Sequence, residues 1–231
     1  MQGTPSKAGP TKQFWEERFE RNEIPWDRGE ASRALLRWLD AGALAPCRIL
    51  VPGCGAGHEV VELARRGFDV TGLDYAPAAL VKLRARLTAG KLHAKTVEAD
   101  ALAWTAPAAF DAVYEQTALC ALHPDHWCDY ASRVSDWVKP GGQLFLLIAQ
   151  VARPRAAQGF IDGPPYHCDV HAVRALFAEP AWSWPKPPYE RIEHPGIPGF
   201  HELALVLQRN SLALRRNSLA LQRNSSALRP N

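Results

Sequence analysis

The chain predicts one α/β domain on a doubly wound, mostly parallel sheet, and three observations carry the prediction. Between residues 48 and 149, short aliphatic runs alternate with stretches of helical periodicity, as parallel strands joined by crossover helices require. A glycine-rich turn, Val51-Pro52-Gly53-Cys54-Gly55-Ala56-Gly57, stands directly between the first such run and the first such helix. The run Leu144-Phe145-Leu146-Leu147-Ile148 is unbroken apolar, the pattern of a strand covered on both faces.

The elements follow in order. Residues 1–12, rich in Gly, Pro, Ser and Lys, read as a flexible leader. Phe14–Phe19 reads as a helix, Ile24-Pro25-Trp26-Asp27 as a loop, and Ala31–Leu39 as a helix with Leu35, Leu36, Trp38 and Leu39 on one broad face. The expected strands are Arg48–Val51, Asp69–Leu73, Lys95–Glu98, Phe110–Tyr114 and Gln143–Ala149, the last entered through the turn Pro140-Gly141-Gly142. The expected crossover helices are His58–Arg66, Pro77–Leu87 and Asp125–Val138. A Gly/Pro-rich loop, Gly159 to Pro165, precedes a helix at Val170–Phe177, and Tyr189–Glu193 and His201–Leu207 read as closing strands. The domain thus runs from 13 to 207. Residues 208–231 repeat with a period of seven, and this reads as a low-complexity tail in preference to a short coiled coil.

Composition narrows the function. The formal charge of +3 comes from five arginines in the acid-free tail, leaving 22 basic against 24 acidic side chains in residues 1–207. Such a body lacks the clustered Lys and Arg that grip nucleic acid through counterion release. No apolar run is long enough to span a bilayer and the first twelve residues lack a signal-peptide core, so the expectation is a cytoplasmic monomer acting on a small molecule. Five cysteines without a CxxC pair suit reduced, buried thiols rather than disulfides or zinc. His167 and His171 share helical i,i+4 spacing but have no evident third ligand, so no metal is expected.

The glycine turn is the strongest local signal. In a doubly wound sheet it opens onto the crevice at the carboxyl ends of the strands, where ligands bind. A dinucleotide fingerprint needs its third glycine at the sixth position, which is His58 here. Gly53, Gly55 and Gly57 follow instead the G-x-G-x-G spacing of methyltransferases that use S-adenosyl-L-methionine; the alternative is a tight turn with no ligand. Asp74 ends the second strand, where a carboxylate can accept both ribose hydroxyls, and Asp100 ends the third, where the adenine edge would lie. Either acid could instead cap the turn that follows it.

Residues 13–207 resemble the thiopurine S-methyltransferase superfamily, above all its bacterial members and the plant thiol and halide methyltransferases. The matching pieces are Phe14-Trp15-Glu16-Glu17-Arg18-Phe19, Ile24-Pro25-Trp26-Asp27-Arg28-Gly29, the turn Val51 to Gly55, Gly72-Leu73-Asp74-Tyr75, the stretch Phe110 to Leu122, and Gly163-Pro164-Pro165-Tyr166. The resemblance implies a Rossmann-like class I methyltransferase with an N-terminal helical lid, in which Trp15, Phe19 and Trp26 contact the cofactor. Shared helical spacing of 15 and 19 and the attraction of aromatic faces for a sulfonium agree, although both rings could simply staple the helix to the core. It further implies Gly53 against the amino-acid part of the cofactor, Asp74 at the ribose, Asp100 with Ala101 at the adenine, and Gln116 beside the methionine moiety. Family members usually carry an aromatic or basic residue where this chain has Gln116, and often a tryptophan where it has Phe19.

A tetrapeptide similar to Gly163-Pro164-Pro165-Tyr166 also marks enzymes that methylate DNA bases, but there it follows the fourth strand and here the fifth. It is therefore assigned to the acceptor pocket by the resemblance, with Tyr166 touching the substrate and Phe160 and Leu119 as walls; a rigid proline corner with a packing tyrosine is the plainer alternative. In-line displacement from a sulfonium needs positioning and water exclusion more than covalent help. The leading expectation is transfer to a small sulfur nucleophile such as a thiol, hydrosulfide or thiopurine. Halide or chalcogen methylation, small-molecule O- or N-methylation, and cofactor binding without turnover stand as alternatives.

Overall fold

The computed structural model of the chain describes residues 9–211. Its helix α1 spans Lys12–Glu20, starting inside the expected leader because the Thr11 hydroxyl caps it by accepting from Phe14 N at 3.2 Å. Helix α2 (Arg33–Asp40) is capped in the same way by Ser32. Then follow β1 (Arg48–Pro52), α3 (His58–Arg65), β2 (Asp69–Asp74), α4 (Pro77–Gly90), β3 (Lys95–Glu98), β4 (Phe110–Gln116), α5 (Ala118–Ala121), α6 (Trp127–Trp137) and β5 (Val138–Val151). The chain continues through α7 (Val170–Leu176), β6 (Trp182–Ser183), β7 (Glu190–Glu193) and β8 (Phe200–Arg209). Every strand and helix expected from sequence is present, β3 with the expected ends and the others with at least one end shifted, whereas α5 and β6 were not expected; the expected turn Pro140-Gly141-Gly142 lies inside β5, where the register with β4 shifts.

The sheet order is β3-β2-β1-β4-β5-β8-β6, with β7 also paired to β8. The first five strands are parallel, and β8 closes the sheet antiparallel to β5 from Gln143 opposite Gln208 to Val151 opposite Phe200. β8 runs two residues into the repeat segment, with Gln208 paired to Gln143 and Ser183 and Arg209 to Trp182, and their side chains donate to the carbonyls of Gly142 and Val138. Residues 212–231, which hold most of the repeat, lie outside the described residues, as do residues 1–8 of the leader.

Strand alternation divides the core. Ile49, Val51, Tyr114 and Phe145 face α2, α3 and α4, while Leu50, Val113, Leu144 and Leu146 face α6 and α7. Trp38 of α2 seals the first face edge-on to Phe145 at 5.1 Å, and Trp137 lies fully buried in the second. At ~1.5–3 kcal/mol for each large apolar side chain buried, these two layers supply the main stabilisation. The chain leaves β1 toward β2 on one side, while β4 lies on the other, so strand order reverses at β1. The crevice this creates opens at the carboxyl ends of β1 and β4.

Candidate active site

The Gly53–Gly57 turn and the segment after β4 meet in that crevice. Gly53 has φ +58° and lies so close to α5 that an added Cβ would stand 2.9 Å from Ala118 Cβ. Both the backbone angle and the space demand glycine there. Gly57, at φ +80°, caps α3, and its missing side chain admits Leu83 of α4. Thr117 turns the chain from β4 into α5 at φ +70°, a costly conformation for a β-branched residue. Around this junction is a cavity of about 330 Å³.

Asp74 and Asp100 both line the cavity and both hold backbone. Asp74 is 8% exposed; its Oδ2 accepts from Gly55 N and its Oδ1 from Ala76 N, each at 2.9 Å, and burial raises its proton affinity despite these bonds. Each of its oxygens keeps a further lone pair. Asp100 is exposed and accepts from Leu102 N at 2.8 Å, with Ala101 beside it on the wall. Capping and cavity-facing placement therefore coexist at both acids.

The N-terminal segment forms the roof. Trp26 stands edge-on to Trp15 at 5.4 Å and to Phe19 at 6.1 Å, and an added Cβ on Gly55 would lie 3.4 Å from the Phe19 ring. The same rings pack on Ala76 and Ala79, so the stapling contact exists too. Three polar pins fix the roof: Glu16 accepts from Ala78 N, Asp27 pairs with His58 at 2.8 Å, and Arg28 pairs with Glu202 at 2.6 Å. Burial lowers the proton affinity of His58.

Sequence reasoning missed the polar floor. Glu202, on β8, is 1% exposed and takes Arg28 on Oε2 and Gln116 Nε2 on Oε1 at 3.2 Å; Gln116 Oε1 in turn accepts from the Tyr114 hydroxyl at 2.6 Å. Gln116 lines the cavity, but its amide is bound on both sides. Glu59, in the first turn of α3, accepts from Ser32 N, and burial raises its proton affinity and that of Glu202. The available signal was a lone acid, Glu202, directly before the apolar run Leu203-Ala204-Leu205-Val206-Leu207 of the closing strand. Nothing in the spacing paired it with a loop 174 positions earlier.

The expected acceptor residues are not on the cavity wall. Tyr166 is 5% exposed, its amide donating to Cys120 O at 2.7 Å and its ring edge-on to His123. Phe160 is 52% exposed beneath the Arg155 guanidinium, and Leu119 packs into the core from the inner side of α5. At that end the cavity is lined instead by Leu122, Pro164, Pro165, Ile197 and Phe200, with His194, whose proton affinity burial lowers. Of the five free cysteines only Cys128 is exposed. Among the described residues no three potential metal ligands cluster, and no helix is long and apolar enough to cross a membrane.

A parallel 3-2-1-4-5 sheet with an antiparallel closing strand, a glycine bend after β1 and acids after β2 and β3 defines a class I S-adenosylmethionine-dependent methyltransferase. Solved structures share the fold: a Burkholderia thailandensis 1,6-didemethyltoxoflavin-N1-methyltransferase, solved with S-adenosylhomocysteine, superposes with TM-score 0.68 at 17% identity, over 86% of this chain and 87% of that one. The chain belongs to the family described as thiopurine S-methyltransferase, whose profile matches residues 10–192. It is 32% identical over 160 residues to thiocyanate methyltransferase 1 of Arabidopsis thaliana, covering 68% of this chain and 67% of the relative. It is 27% identical over 179 residues to thiopurine S-methyltransferase of Vibrio cholerae, covering 71% and 80%.

The cavity suits this cofactor on its own geometry. The Gly53 cradle would be filled by a single methyl group, and an almost buried carboxylate keeps acceptor capacity one strand away. Three aromatic edges converge above the bend.

Proposed function

We propose that the chain methylates a small sulfur nucleophile, a thiol, hydrosulfide or thiopurine-like compound, at the junction of the Gly53 bend and the Thr117 turn. S-adenosylmethionine supplies there a methyl group activated by its sulfonium. Gly53 and Gly55 let the backbone approach the amino-acid part, Asp74 accepts from the ribose hydroxyls with its spare lone pairs, and Asp100 with Ala101 borders the adenine. Trp15, Phe19 and Trp26 cover the sulfonium, an aromatic contact worth ~0.5–2 kcal/mol when desolvated, and exclude water. Gln116, held by Tyr114 and Glu202, borders the methionine end.

The observation that carries the reading is the convergence of glycine floor, buried carboxylate and aromatic roof on one cavity. At the acceptor end Arg28 is already paired with Glu202 and burial disfavours protonation of His194, so neither of these groups selects for an anion. The names of the relatives support sulfur as the acceptor atom. The test is calorimetry with S-adenosylhomocysteine, followed by a panel of thiols, phenols, amines and halide ions with labelled cofactor. Methylation of phenols or amines with thiols untouched would refute it. Gel filtration at assay concentration checks the expected monomer.

A further inference from the structure

Cofactor binding and acceptor positioning leave Glu115 without a task. It is the penultimate residue of β4, so its side chain leaves the opposite face of the strand from those of Tyr114 and Gln116. It is 1% exposed. Oε1 accepts from Leu119 N at 2.7 Å and from the Tyr130 hydroxyl at 3.4 Å, while Oε2 is buried with no partner. Capping α5 accounts for one oxygen and leaves the other unexplained, and an orphaned buried carboxylate oxygen is costly. The ionisable groups facing it are Tyr130 from α6, Cys120 from α5, Cys168 from the segment before α7, and Glu202 from β8. None is a cation. Burial, with Glu202 adding repulsion, moves its pKa up to about 7.

Tyr130 bonds Glu115 and, although 0% exposed, is among the residues around the cavity, in one apolar cluster with Cys120 and Leu122. The side chain thus stands between a buried base and the cavity. We propose that Tyr130 is the catalytic residue that takes the acceptor's proton, and that Glu115 is the positioning residue behind it, orienting the hydroxyl and receiving the tyrosine's own proton. This rests on the sulfur-acceptor reading. The S–H proton passes to the Tyr130 oxygen as the Tyr130 proton passes to Glu115. The sulfur pair so freed forms the new C–S bond, and the pair of the breaking bond stays on the departing sulfur. The negative charge of Glu115 and the positive charge of the sulfonium disappear together, which a water-poor site favours. The proton returns to solvent through Tyr130 when product leaves.

The test compares an un-ionised benzylic thiol with a fluorinated thiophenol that is already an anion at neutral pH, in wild type, E115Q and Y130F. Both variants should lose about a hundredfold in kcat with the benzylic thiol, a typical general-base contribution, and stay within about threefold of wild type with the thiophenolate. Wild-type turnover of the benzylic thiol should fall as pH drops through about 7, because the base must be ionised, and E115Q should lose that limb. Infrared spectra should show a protonated-carboxyl band that grows as pH falls through the same range and is missing in E115Q. Calorimetry with S-adenosylhomocysteine should give wild-type affinity for both variants, and Y130F keeps the test alive if E115Q fails to fold. Equal loss with both acceptors, or no loss with either, overturns the proposal. If wild type methylates neither thiol, the sulfur-acceptor reading fails first and takes this proposal with it.

Discussion

Replacing Arg28 with methionine probes the joint between roof and sheet. The Arg28–Glu202 pair is 2.6 Å long, with side chains 8% and 1% exposed, so solvent screens it little. R28M leaves the Glu202 carboxylate in the core with only the Gln116 amide at 3.2 Å, and removing one partner of a buried pair costs about 3–5 kcal/mol. Taking about 3, because the methionine stem still packs, the midpoint of a domain this size should fall by about 6–12 °C. Burial already raises the Glu202 proton affinity, and losing the guanidinium raises it further. With a folded-state pKa above the unfolded one, an unpaired Glu202 destabilises above its unfolded pKa, so the R28M deficit should shrink as pH falls. Denaturant melts of R28M, E202M and R28M/E202M, run at several pH values, give the coupling directly. The double variant should recover most of the loss, because hydrophobic replacement of a whole buried pair is often neutral. A deficit under about 1 kcal/mol for R28M, or simple additivity in the double variant, would show the pair to be solvent-screened and defeat the reasoning.

Three further outcomes are expected. Asp74→Ala removes a charged acceptor and strands the Gly55 and Ala76 amides, so S-adenosylhomocysteine affinity should weaken by about 2–3 kcal/mol in a calorimetric titration. Gly53→Ala must place a Cβ 2.9 Å from Ala118 at a left-handed φ; cofactor binding should fall more than tenfold in the same titration, while far-ultraviolet dichroism keeps its helix and strand content. Phe160→Ala, at a half-exposed position away from the cavity, should change KM for thiols less than twofold and stability by under about 0.5 kcal/mol.

What the sequence disclosed was local, and what it concealed was long-range. The glycine bend, Asp74 and Asp100 are legible because a turn between strand and helix imposes its chemistry within a few residues. Trp15, Phe19 and Trp26 could be grouped because helical spacing and one short loop set their relation. Arg28–Glu202 depends on which edge β8 takes, and strand order at that edge is not written in periodicity. Helix α5 is a single turn, too short for a pattern, and its packing turned Leu119 inward and left Leu122 on the wall. Tyr166 lies off the cavity wall for a related reason: a proline corner fixes where its backbone goes and is silent about which side its ring takes. Glu115 looked like an ordinary strand residue until burial stripped it of water.

The joint at Arg28 has a consequence for how the molecule comes into being. The roof is synthesised long before β8, yet its buried guanidinium finds its counter-charge only when that strand, 174 residues later, joins the sheet. Until that edge is in place, the early helix and loop have no reason to shut, and a nascent chain exposes three aromatic rings and an unmatched cation. Ligand capacity should therefore arrive all at once, late in assembly, and such distant pairing makes for slow folding.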